Sequence, residues 1–313
     1  MGAEVLEAEF ARLRGPLLVH CYQMVGSYDE AEDLVQDVYL RARRGLDGFE
    51  GRSSLKTWLY RIATNACLTA LHSRNRRVLP SGLGAPSNDP DTPTPPDPSV
   101  SWLQPLPDAA WSDPGETVVR RESVRIALVS MLQNLAPRQR AVFLLREVLD
   151  WPAADVAVTL DLNVTAVKSL LQRARVRLKE LGHEPPPQPG EHDEELLARY
   201  IKAFETSDVK AIERLIHEDF RLEVAASRTW FKGIATCLPY LQRYALGRPG
   251  DWRMQPTRVN GQPAAASYHL GDDGRYAAFC LCVFEIADGT IRGVTLFDGA
   301  RAFAAAGFPL SLT

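Results

Sequence analysis

Residues 153–179 read Ala-Ala-Asp-Val-Ala-Val-Thr-Leu-Asp-Leu-Asn-Val-Thr-Ala-Val-Lys-Ser-Leu-Leu-Gln-Arg-Ala-Arg-Val-Arg-Leu-Lys. They spell one short helix, a tight turn at Asp161-Leu162-Asn163, and a second helix with a basic face. On the second helix Val164, Val167, Leu171, Ala174 and Leu178 recur at steps of three and four, the spacing of a buried stripe. Lys168, Arg173, Arg175, Arg177 and Lys179 lie around the rest, and Asn163 is placed to cap the first turn. A helix-turn-helix with such a second helix is a common device for reading a DNA major groove. An ordinary amphipathic hairpin with solvated arginines fits the same pattern, so the rest of the chain decides.

At 313 residues the chain is too long for one typical domain and predicts two or three. Apolar residues at 45% fill real cores, while a formal net charge of −3 confines any basic surface to local patches balanced by acid elsewhere. Five cysteines, Cys21, Cys67, Cys237, Cys280 and Cys282, fall mostly in apolar periodic stretches and read as buried thiols of a reducing cytoplasm. Cys280 and Cys282 share one side of a strand, but no second cysteine or histidine pair completes a zinc site. The sequence therefore predicts no metal and no cofactor. It has no apolar run of membrane-spanning length and no signal-peptide pattern at its start, so a cytoplasmic protein is expected.

Two proline-rich stretches divide the chain. Pro80 to Gly115 carries ten prolines and five aspartates with no lysine or arginine, a composition expected to stay extended. Trp102, Leu103, Leu106 and Trp111 are out of character there; they pack on a neighbouring domain or dock in a partner's channel, and composition leaves both readings open. Gly182 to Asp193, with Pro185, Pro186, Pro187 and Pro189, is a short stiff spacer. The expected organisation is an all-α segment at 10–79, a linker at 80–115, the helix-turn-helix segment at 116–181, a second linker at 182–193, and an α+β domain at 194–313.

The first segment reads as helices, with Asp29 expected to cap a second one and a third running from about Leu55 to Arg77. The last segment reads as two helices, a strand, a helix and then four long strands. Gly271-Asp272-Asp273-Gly274 and Asp288-Gly289 supply hairpin turns, giving a curved antiparallel sheet wrapped on helices.

Three stretches carry a resemblance: Ala31-Glu32-Asp33-Leu34-Val35-Gln36-Asp37, then Phe49-Glu50-Gly51-Arg52-Ser53-Ser54-Leu55-Lys56-Thr57-Trp58-Leu59-Tyr60-Arg61-Ile62-Ala63-Thr64-Asn65, and Leu135-Ala136-Pro137-Arg138-Gln139-Arg140-Ala141-Val142-Phe143. In this order they resemble an extracytoplasmic-function (ECF) sigma factor, a bacterial initiation factor of the sigma-70 family built from regions 2 and 4. The final segment resembles a SnoaL-like domain through Trp230-Phe231-Lys232-Gly233, Val259-Asn260-Gly261-Gln262-Pro263-Ala264 and Phe308-Pro309-Leu310. Together with Trp102-Leu103-Gln104-Pro105-Leu106-Pro107-Asp108 in the linker these are similar to the SigG-like subgroup. Leu170 departs from the arginine common in the family's recognition helix, and Val224-Ala225-Ala226 departs from the expected Met-Pro-Pro.

The resemblance implies core RNA polymerase, through its β and β′ subunits, and promoter DNA as partners. Asp33, Gln36 and Asp37 are the candidate polymerase contacts. For the −10 element the candidates are Ser53, Ser54, Lys56 and Asn65 around a flipped base, with Arg61, Arg74, Arg76 and Arg77 on phosphates. Trp58 and Tyr60 are candidate stacking rings, Trp58 being the one expected in the core. For the −35 element the candidates are Lys168, Ser169, Gln172 and Arg173, with Arg175 and Arg177 on the backbone. The acidic linker shares the sign of RNA and suits the transcript's exit path.

The SnoaL-like fold hosts enzymes as well as binders. Glu223, Trp230, His269 and Asp298 are its candidate pocket residues, for a small-molecule ligand or for acid-base catalysis. Two readings follow: an initiation factor regulated in cis by its last domain, or a small-molecule-processing enzyme fused to a DNA-binding module.

Overall fold

A computed structural model describes residues 2–51, 53–72, 75–111, 122–182, 190, 192–298 and 300–312. The chain forms two compact units, one of residues 1–77 with 111–184 and the other of residues 78–110 with 185–313.

The first unit is helical. Helices α1 (Ala3–Val25), α2 (Tyr28–Gly45) and α3 (Leu55–Leu71) pack through Leu17, Cys21, Val35, Val38, Leu59 and Ala63, all essentially inaccessible to solvent. The cap of α2 is Ser27 rather than Asp29: the Ser27 side chain accepts from the Glu30 amide, and Asp29 lies in the first turn, where its charge still suits the helix dipole. Gly26, at φ 71°, closes α1 and makes the sharp turn between the two helices. Helix α3 ends at Leu71, earlier than Arg77, because no apolar residue follows until Val78 to hold another turn against the bundle.

Helices α4 (Ile126–Leu132) and α5 (Pro137–Phe143, continued by a π turn at Leu144–Val148) lead into α6 (Ala153–Leu160) and α7 (Val164–Glu180). Between α6 and α7 Asp161 takes φ 53°, and Asn163 caps α7 by accepting from the Ala166 amide at 2.7 Å. This is the helix-turn-helix. Val167, Leu171, Ala174 and Leu178 are its buried stripe, whereas Val164, expected in that stripe, is exposed in the first turn, before the helix reaches α6.

In the second unit α8 (Asp193–Glu205) and α9 (Val209–Leu215) precede strands β1 (Ile216–Val224) and β2 (Trp230–Lys232) and helix α10 (Ile234–Tyr240). Strands β3 (Trp252–Val259), β4 (Gln262–Leu270), β5 (Tyr276–Ala287) and β6 (Thr290–Asp298) follow, then α11 (Ala300–Ala305) and β7 (Ser311–Leu312). The sheet order is β2-β1-β6-β5-β4-β3, with β7 on β5. It is mixed rather than wholly antiparallel, because β1 lies parallel to β6. Register shifts in the β1–β6, β4–β5 and β5–β6 pairs bend it around the helices. Tyr200, Ile212, Phe220, Leu222 and Phe284 fill the concave side, and the five cysteines are free and buried.

Residues 78–110 do not stay extended. They fold onto this sheet: Ser87 bridges Phe231 beside edge strand β2, and Pro107 bridges Val259 at the end of edge strand β3. Composition measures what a segment can bury alone; here the buried partners are supplied by the sheet. Leu103 and Leu106 are buried in the second unit and Trp111 in the first.

Candidate nucleic-acid interface

The stripe of α7 packs inward and leaves Lys168, Ser169, Gln172, Arg173, Arg175 and Arg177 exposed. Lys168 and Arg173 make no ion pair among the described residues. Arg175 pairs with Glu147 at 2.8 Å and Arg177 with Glu180 at 3.1 Å. The first turns therefore present donors free of ion pairs, while the cations of the last turns are held by carboxylates.

In the first helical segment Ser54 caps α3, its Oγ accepting from the Thr57 amide at 3.0 Å. Ser53 is exposed beside it and Lys56 half-buried, and Arg61 and Asn65 stand exposed one turn apart on α3. Arg77 pairs with Glu30 at 2.5 Å, and Arg76 donates to the Asn134 side chain. Both are engaged rather than awaiting a phosphate, and Arg74 lies outside the described residues. On α2, Asp33 and Gln36 are exposed, and Asp37 pairs with Arg41 at 2.8 Å. Leu40, passed over in the sequence, is exposed a turn beyond Gln36; its signal was an apolar residue out of phase with Ala31, Val35, Val38 and Ala42.

The two aromatic candidates exchange places. Trp58 is half-buried against Phe49, with ring centroids 4.9 Å apart. Tyr60 is fully buried, edge-on to His20 at 5.3 Å and to Trp151 at 5.5 Å. Trp151 belongs to the helix-turn-helix segment, so the two segments are packed together and Tyr60 is withheld from any base.

A polar lock holds that packing. The Gln23 amide donates to the Ser123 carbonyl at 2.9 Å, and Gln133 donates to the Gln23 carbonyl at 3.2 Å. Arg140, only 3% exposed, donates to the Met24 carbonyl, to the Gln133 side chain at 2.6 Å, and to the Gln133 and Leu135 carbonyls at 3.2 Å. Burial pulls its pKa down to about 10, so it stays charged at neutral pH. The polar lock was missed, although Gln23 and Arg140, polar residues inside apolar stretches, were its trace in the sequence.

Nearby, His20 Nε2 lies 2.9 Å from Thr64 Oγ1, and that hydroxyl donates to the Tyr60 carbonyl at 2.7 Å. The ring nitrogen must then be the donor, leaving Nδ1 buried without a hydrogen-bond partner among the described residues, and burial lowers the His20 pKa to about 4.

The candidate pocket residues divide. Glu223, 5% exposed, accepts from the Ser81 amide at 3.0 Å, and the Trp230 indole donates to the Gly84 carbonyl at 2.9 Å. Both hold the linker, and burial raises the Glu223 pKa. His269 and Asp298 are exposed and make no hydrogen bond to each other, so they form no acid-base pair. The Asn260-Gly261 turn grips the linker as well: Asn260 Oδ1 accepts from the Leu106 amide and the Asn260 amide donates to the Leu106 carbonyl, each at 2.8 Å. The Gly261 amide donates to Asp108 at 2.8 Å.

Family models for sigma-70 region 2, sigma-70 region 4 and a SnoaL-like domain match residues 10–77, 125–178 and 197–294. The chain is 44% identical over 308 residues to the ECF RNA polymerase sigma factor SigG of Mycobacterium tuberculosis (strain H37Rv), a match covering 96% of this chain and 82% of that protein. This chain belongs to the ECF RNA polymerase sigma factors. The sigma factor is also 28% identical to SigJ of the same strain, over 97% of its own length and 94% of SigJ. The crystal structure of M. tuberculosis SigJ has the same fold, with a TM-score of 0.64 at 24% identity, over 97% of this chain and 99% of that one. Membership makes the sigma factor a transcription initiation subunit that works with core polymerase and promoter DNA, not an enzyme in its own right. Among the described residues no helix is long and apolar enough to cross a membrane.

Proposed function

We propose that region 2 of this sigma factor binds the β′ clamp of core polymerase through Asp33, Gln36, Asp37 and Leu40, with β completing the surface. Ser53, Ser54, Lys56, Arg61 and Asn65 read and hold the opened −10 element, joined by Arg74 on phosphates and by Arg76 and Arg77 once they exchange Asn134 and Glu30 for phosphates. Lys168, Ser169, Gln172 and Arg173 read the −35 element, and Arg175 and Arg177 hold its backbone. The observation that carries this reading is the capped recognition helix, whose first turns expose unpaired cationic and amide donors while its apolar stripe is fixed. The work is done in the cytoplasm, where polymerase and chromosome lie.

The C-terminal domain acts in cis through its grip on residues 78–110, and a small molecule entering the domain would act by changing that grip. Run-off transcription with core polymerase on genomic fragments, with the full chain and with a chain lacking residues 183–313, tests both statements. Initiation dependent on the sigma factor is expected from both proteins, at different rates or promoter ranges. Absence of initiation from the full chain overturns the first statement; identical behaviour of the two proteins overturns the second.

A further inference from the structure

The exposed face of α7 is not uniformly cationic. Thr165, Ser169, Gln172 and Val176 follow one another at steps of four, three and four, on the side of the helix opposite Val167, Leu171, Ala174 and Leu178. All four are exposed and none carries a charge. Lys168 flanks this neutral ridge on one side and Arg173 on the other. A helix lying in a major groove turns the middle of its exposed face to the base edges and its flanks toward the two walls of phosphate, with its first turns reaching the bases. Thr165 is the ridge residue of the first turn.

Thr165 and its neighbour Val164 have no structural task there that accounts for them. The buried stripe begins at Val167, and Val164 is 39% exposed. The cap is supplied by Asn163, whose Oδ1 accepts from the Ala166 amide at 2.7 Å. No acidic side chain stands in the first turn to repel a phosphate. Both residues are β-branched and stiff at χ1, so their methyl groups are held at fixed positions on the helix rather than swung through solvent. A fixed methyl group matches one feature of the major-groove edge, the C5-methyl of thymine, which no other base presents. Thr165 and Ser169 lie about 6 Å apart along the helix axis, against roughly 3.4 Å per base pair. The base under Thr165 is therefore about two pairs from the one facing Ser169.

We propose that Thr165 is a specificity-determining residue for the −35 element: its γ-methyl, with the Val164 side chain beside it, packs on the C5-methyl of a thymine about two base pairs from the pair facing Ser169. This deepens the proposed reading of α7 and rests on the assignment of that helix to the −35 element.

The test begins with promoters randomised through the −35 element, from which the full-length sigma factor and core polymerase select the preferred sequence. That sequence should hold a thymine, on either strand, whose replacement by deoxyuridine removes the methyl and nothing else. Run-off initiation at subsaturating protein should then fall about fourfold, the factor for one buried methyl group. Thr165→Ser keeps the hydroxyl and loses the methyl, so it should initiate equally from the two templates. Thr165→Val keeps the methyl and loses the hydroxyl, so it should retain the difference. Thermal melting checks that each variant is folded. A selected element without a thymine there, a native protein indifferent to deoxyuridine, a serine variant that still discriminates, or a valine variant that does not, overturns the proposal. Arg173→Ala separates this contact from the assignment beneath it. If its loss depends on the −35 sequence while the methyl has no effect, α7 still reads the element and the methyl contact alone fails. If no base change in the −35 element alters initiation by the native protein, the assignment falls and the proposal with it.

Discussion

Replacing Arg140 with methionine removes the centre of the lock between regions 2 and 4 while keeping an apolar stem of similar length. Four acceptors lose their donor: the Met24 carbonyl, the Gln133 side chain, and the Gln133 and Leu135 carbonyls. Hydrogen bonds to a charged group contribute about 1.5–3 kcal/mol each, so four of them sum to roughly 8 kcal/mol before non-additivity. Against this stands the desolvation of the guanidinium, seen in a pKa lowered from 12.5 to about 10 and equivalent to roughly 3 kcal/mol that methionine does not incur. The expected net loss is about 3–5 kcal/mol, in the range found when a buried charge network is broken. Urea unfolding should show the midpoint falling by about 2 M for an m-value near 2 kcal/mol/M. Because the Met24 contact joins the two regions, native-state tryptophan emission should also shift red as Trp151 leaves Tyr60. A loss below about 1 kcal/mol with unshifted emission would refute the lock.

His20 gives a pH dependence. Burial holds its folded pKa at about 4, below the 6.5 of a free imidazole, so the unfolded chain binds more protons between those values; stability is full above pH 6.5 and falls toward pH 4 by about 3 kcal/mol. His20→Gln should flatten the dependence of melting temperature on pH in that window, and an unchanged slope contradicts the assignment. Glu223→Gln keeps an acceptor for the Ser81 amide and removes a buried carboxyl whose pKa is raised, so it should leave the linker docked; Glu223→Ala should raise hydrogen exchange at Ser81 and Gly84. Equal exchange in the two variants counts against Glu223 as an anchor. Arg173→Ala should weaken −35 binding by about 1–3 kcal/mol in a sequence-dependent way, measured by titrating promoter variants. Arg76→Ala should weaken all promoters alike and reduce the salt slope by about one, and identical profiles for the two arginine variants overturn their separate roles.

Much of this sigma factor was legible in its residues because the signals are local. The stripe of α7, its Asn163 cap and the hairpin turns arise from spacings of two to four residues, and three ordered sequence motifs placed regions 2 and 4. Local reading also erred locally, naming Asp29 as a cap that Ser27 supplies and carrying α3 past its last apolar anchor at Leu71. What no spacing carried was pairing at a distance. Tyr60 is buried because Trp151 covers it, Arg140 is satisfied by carbonyls of Met24 and Leu135, and β1 runs parallel to β6 across the whole domain. The acidic linker is the clearest case. Its composition pointed to an extended segment, and the fold overturns that reading. Asn260 and Glu223, more than a hundred residues away, become its partners only once the sheet has brought a turn and a strand face to the same side of the fold. A residue's propensity and periodicity are properties of its neighbours in the chain, whereas a buried hydrogen bond belongs to whichever groups the completed fold excludes from water together.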